Sequence, residues 1–71
     1  MSMKDYTIYI HRYGERERQV LFAQLRDDRR AREFAEQRLA ASPDHAAVEV
    51  WGGAARLCCL WAEAVEFSAA A

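Results

Sequence analysis

The chain has 71 residues, 52% of them hydrophobic and 30% charged, with 10 Lys or Arg against 11 Asp or Glu and a formal net charge of −1. That length holds one hydrophobic core and excludes a second domain, while the apolar content can offset the entropy of ordering and so argues against intrinsic disorder. The near-neutral balance creates no long-range field towards phosphate backbones or acidic membranes, which makes nucleic acid an unfavoured partner.

The opening run Met1-Ser2-Met3-Lys4-Asp5-Tyr6 lacks the apolar stretch of a secretory signal. The longest apolar run, Leu57 to Ala62, falls far short of the roughly 20 residues of a membrane span. Cys58 and Cys59 are adjacent and cannot make the spaced disulfide framework of small secreted domains. These features point to a cytoplasmic protein with reduced thiols and no membrane association.

From Asp5 to Tyr13, Tyr6, Ile8 and Ile10 alternate with Thr7, Tyr9 and His11, the period-two pattern of a strand. Gly14 and the charged residues after it form a turn, and Gln19 to Leu25 supplies a second strand, completing a hairpin. Pairing Tyr13 with Arg18 sets Ile10 against Leu21, Ile8 against Ala23 and Tyr6 against Leu25, which makes one face continuously apolar.

Asp27-Asp28 supplies a helix N-cap, after which Ala31, Phe34, Ala35 and Leu39 fall on a narrow apolar stripe. The helix is expected from about Asp28 to Ala41 and is stopped by Ser42-Pro43-Asp44, because proline cannot continue the hydrogen-bond ladder. Val48 and Val50 then alternate with Glu49 and Trp51 in a third strand, Ala46 to Trp51. Gly52-Gly53 reads as a two-residue turn, with a fourth strand beginning at Ala54. Trp51 facing Ala54 places Val50 opposite Ala55, Glu49 opposite Arg56 and Val48 opposite Leu57. Leu57, Leu60, Trp61, Ala64 and Val65 also fit a helical stripe; the favoured reading is a strand to about Trp61, an ordered part spanning about 4–62, and a loose or helical tail over 63–71.

These elements specify a single α+β domain of ββαββ order, a four-stranded, mainly antiparallel sheet with one helix packed on one face and the strand order 2-1-3-4. The run Tyr6-Thr7-Ile8-Tyr9, the acid-capped helix and the segment Val48-Glu49-Val50-Trp51-Gly52-Gly53-Ala54-Ala55-Arg56-Leu57 together resemble small uncharacterised bacterial ββαββ proteins across nearly the whole chain. The resemblance implies the fold and brings no settled activity with it. The chain departs from that pattern at Gly52, where a polar turn residue is expected, and at Cys58-Cys59, where a small or basic residue is common.

Chemistry-bearing clusters are sparse. Cys58 and Cys59 fall on opposite faces of a strand and read as buried structural thiols, and His11 and His45 lack metal-ligand spacing. No phosphate loop, nucleophile elbow or paired carboxylates appear, so the chain is read as a non-enzyme without cofactor or metal. Arg26, Arg29 and Arg30 open the helix and could meet an anion or a nucleic acid, but interleaved acids make a solvated mixed face the simpler reading.

The remaining signal is the sheet face turned away from the helix, to which the alternation assigns Tyr9, Val20, Phe22, Trp51, Cys58 and Leu60. A covering element is needed there, either the C-terminal segment around Val65 and Phe67 or another molecule. The expectation is an interaction module that forms a homodimer or binds a protein partner through Tyr9, Val20, Phe22, Trp51 and Leu60.

Overall fold

The computed structural model describes residues 2–62, and the expected tail, including Val65 and Phe67, lies outside the described residues. The elements are β1 (Lys4–Arg12), β2 (Gln19–Leu25), α1 (Asp28–Ala40), β3 (His45–Gly52) and β4 (Ala55–Trp61). The strands form one antiparallel sheet in the order β2-β1-β3-β4, with α1 between β2 and β3 in sequence. This is the expected ββαββ α+β fold, and the last expected strand is a strand.

Both hairpin registers differ from the sequence expectation, with different consequences. In the first, Tyr6 pairs with Ala23, Ile8 with Leu21 and Ile10 with Gln19, a slide of two residues. A two-residue slide keeps every side chain on its expected face, because the side-chain period of a strand is also two. The slide arises because the end of β1 leaves β2 for β3: His11 pairs with Ala47 and Arg12 with His45, while the Tyr13 amide donates to the Asp44 carbonyl at 2.9 Å. Tyr13 therefore does not pair with Arg18 across a tight turn.

In the second hairpin Gly52 pairs with Ala55, so the turn is Gly53-Ala54 rather than Gly52-Gly53. Gly53 takes the left-handed φ of +64° that the turn demands; Gly52 does not, and its lack of a side chain serves packing instead. A Cβ at Gly52 would lie 3.2 Å from Leu57 Cδ1 and 3.8 Å from Tyr6 Cε1. A bulge follows: Trp51 pairs with Arg56, yet Val50 pairs with Cys58, Glu49 with Cys59 and Val48 with Leu60. One residue of β4 is thereby inserted, and every later side chain of the strand exchanges faces relative to the expected ladder.

Asp27 caps α1 by accepting from the Arg30 amide at 2.9 Å, and the helix buries Ala31, Ala35 and Leu39. Small alanines on this stripe let the helix approach the sheet closely. The core joins them to Tyr6, Ile8 and Ile10 of β1 and Val48 and Val50 of β3, with Leu21, Ala23, Leu25, Phe34, Cys58 and Leu60 packed around its margin. Tyr6 places its hydroxyl against the first turn of α1, donating to Asp28 Oδ1 at 2.7 Å. Burial first, and then the nearby Asp28, push its pKa up to about 12. His45, buried at the start of β3, donates from Nδ1 to the Arg38 carbonyl at 2.5 Å and ties the C-terminal turn of α1 to the sheet.

Candidate functional site: the open face of the sheet

Strand alternation turns the complementary set of residues away from α1. Thr7 is flanked by Phe22 and Trp51, Tyr9 by Val20 and Glu49, and His11 by Ala47. On β4 the same face carries Arg56, Cys59 and Trp61, paired respectively with Trp51, Glu49 and Ala47.

Tyr9, Val20, Phe22 and Trp51 thus occupy the face expected of them. Leu60 does not: it pairs with Val48 and packs at the margin of the core on the helix side, as does Cys58 opposite Val50. The bulge is the reason, and Cys59 and Trp61 take the places assigned to Cys58 and Leu60. The two cysteines do lie on opposite faces, but both are half-buried rather than fully enclosed.

Exposure is uneven across this face. Phe22 is 82% exposed on β2, Val20 42% on the same strand and Trp61 59% on β4. Between those margins the side chains fold onto one another. The Tyr9 and Trp51 rings meet edge to face with centroids 6.3 Å apart, and the Arg18 guanidinium sits over the Tyr9 ring at 4.1 Å.

A polar cluster occupies the middle. The Glu49 side chain, only 13% exposed, accepts from His11 Nε2 at 2.5 Å and faces Arg56 Nη1 at 3.5 Å. The His11 hydrogen bond is the main reason its pKa lies below the ordinary carboxylate value; burial opposes that shift, and the Trp51 indole and Arg56 assist it. The Trp51 N–H is near enough to favour the charged carboxylate but misses hydrogen-bond geometry, leaving the buried nitrogen without a partner among the described residues.

The neighbouring Cys59 thiol is pushed above its ordinary range chiefly by burial, with Glu49 adding to the effect, so it is a poor nucleophile at neutral pH. Cys58 is shifted in the same direction, again mainly by burial. Among the described residues no three His, Cys, Asp or Glu side chains converge as metal ligands. None of the described helices is long and apolar enough to cross a membrane.

The helix arginines form a separate surface. Arg29 and Arg30 both reach Glu33, at 3.3 Å and 3.6 Å, and Arg32 reaches Glu36 at 3.4 Å. Arg26 precedes the Asp27 cap on an exposed bend. Glu33 thus partly neutralises both Arg29 and Arg30.

No protein-family model, curated protein or solved structure matches the chain significantly.

Proposed function

We propose that the protein is a non-enzymatic interaction module that self-associates through Tyr9, Val20, Phe22, Trp51 and Trp61 on the helix-free face of its sheet. The observation that carries this reading is Phe22, 82% exposed in the middle of a strand that bears no charge. A side chain of that size left in water is a site where burial by another molecule gains free energy, and aromatic residues commonly dominate interface energies. The paired Glu49 carboxylate supports the same reading, since a charge already held by His11 and Arg56 can be covered without being stranded.

Sedimentation equilibrium tests the proposal. The wild type should be a dimer at high micromolar concentration, and Phe22→Ala should move it towards monomer with its circular dichroism unchanged. A strictly monomeric wild type would refute the reading. Binding of an anion or nucleic acid by Arg26, Arg29 and Arg30 is the weaker alternative, because Glu33 competes for two of those guanidinium groups. Such binding would weaken steeply with added salt, whereas apolar association would not.

A further inference from the structure

We infer that the seam of this self-association is the outer edge of β2, which joins β2 of a second copy in antiparallel register about a two-fold axis at Phe22, making one continuous sheet from two. The inference rests on the self-association proposed above and narrows its contacts to Val20 and Phe22 on β2, since Tyr9, Trp51 and Trp61 lie on β1, β3 and β4, away from that edge.

An edge strand presents a row of unpaired N–H and C=O groups, and proteins usually guard such edges with charge, proline or a bulge. This sheet has two edges, β2 and β4. They are treated differently. β4 carries Arg56 and the bulge beside Leu57. β2 is Gln19-Val20-Leu21-Phe22-Ala23-Gln24-Leu25, paired with β1 without a register break and containing neither charge nor proline. Among the described residues nothing pairs with its outer side. Arg18, immediately before the strand, is folded inward over the Tyr9 ring and so is withdrawn from the edge.

The strand is also suited to meet itself. With Phe22 on the axis all seven residues overlap: Gln19 faces the partner's Leu25, Val20 the partner's Gln24, and Leu21 the partner's Ala23. No charge opposes a like charge within the paired strands. An axis perpendicular to the sheet keeps each face on its own side. Phe22 therefore packs on the partner's Phe22 on the open face, while Leu21, Ala23 and Leu25, which are only half-buried at the margin of the core, gain partners on the helix side. One operation thus covers the most exposed aromatic side chain among the described residues, completes the margin of the core and satisfies the backbone edge.

Amide hydrogen exchange of the wild type, recorded below and above its dissociation constant, tests the seam. At a free monomer concentration about ten times that constant, alternate amides of β2 should exchange about twentyfold more slowly, because each dimer holds two protomers and exchange follows the fraction left free. A second measurement uses Val20→Cys and Gln24→Cys, each with Cys58 and Cys59 replaced by alanine. Neither should cross-link alone, whereas an oxidised mixture should give a disulfide dimer, since the axis brings position 20 of one chain opposite position 24 of the other. A dimer whose β2 amides are unchanged and whose mixed cysteines stay free would overturn the seam and leave self-association standing. A wild type that is monomeric throughout would overturn both.

Discussion

The two faces of this sheet use the same alternation of side chains to opposite ends. On the helix side Ile8, Ile10, Val48 and Val50 are fully enclosed among mainly apolar neighbours, and the Tyr6 hydroxyl of that core is satisfied by Asp28. On the open side the central residues, Tyr9, Glu49, Trp51 and His11, are held by a ring contact, hydrogen bonds and ion pairs within the face, and the exposed apolar surface is pushed out to Phe22, Val20 and Trp61. Stability should therefore reside mainly on one face and association on the other. A face whose central carboxylate is paired within it and whose edge is apolar is better suited to lateral joining than to being a second core.

The comparison is broken most directly by Ile8→Ala. That side chain has no exposure, and truncating a buried isoleucine costs about 2 to 5 kcal/mol, because the cavity only partly collapses. Urea unfolding should show the whole loss in the midpoint. A loss below about 1 kcal/mol would mean that this core is loosely packed and that the contrast between the faces is false.

Tyr6 sharpens the contrast through pH. Its folded pKa is raised, so the stability it contributes is present below its unfolded value near 10 and is lost as pH rises towards about 12. The shift corresponds to roughly 2 to 3 kcal/mol across that window. Tyr6→Phe removes the bond to Asp28 at a cost of about 1 kcal/mol at neutral pH, and it should flatten the alkaline decline measured by thermal unfolding between pH 9 and 12. An equally steep decline in the variant would assign the alkaline transition to another group.

How these roles could be read from the amino-acid order depends on what kind of fact each one is. Strand identity, the helix span and the faces of β1 and β2 were legible because alternation survives a two-residue error in register: Ile8 faces the core whether it meets Ala23 or Leu21. The bulge in β4 was not legible, since a single inserted residue leaves the pattern of residue types in the strand unchanged and shows only in the pairing of Val50 with Cys58. That single backbone event moved Leu60 off the open face and put Trp61 on it. The His11–Glu49 pair was hidden for a related reason: it needs the β1–β3 register, and no turn links those strands to set it. The usable signal was charge parity, with a histidine on one strand and a glutamate on the other both directed away from the apolar face.

Glu49 tests whether the open face also contributes to the fold. Because its folded pKa is lowered, its contribution is complete above the unfolded carboxylate range and is lost as pH falls through that range towards the folded value. Glu49→Gln should cost about 1 kcal/mol at pH 7, a charge-assisted hydrogen bond discounted because His11 is more than one-third exposed. The difference between wild type and variant should narrow on acidification, as measured by urea midpoints from pH 7 to pH 3. A constant difference would show that the amide fails to fit the site sterically and that the charge contributes nothing.

The smallest expected effect on folding is the most diagnostic one. Phe22 projects from the middle of an edge strand and is 82% exposed, so truncation to alanine forms no cavity. Exposed substitutions away from caps and strained backbone usually change stability by no more than about 0.5 kcal/mol, and the weak strand propensity of alanine could supply most of that. The measurement has to be made with the monomer, at concentrations well below the dissociation constant, since association would otherwise add to apparent stability by mass action. Trp51→Ala is not equivalent: the half-buried indole packs against Tyr9 and lies beside Glu49, so its removal should lower the stability of the dilute monomer. If Phe22→Ala instead destabilises the dilute monomer by about 2 kcal/mol, a value typical of a buried side chain, then Phe22 is covered from within the chain and the division of labour between the faces fails.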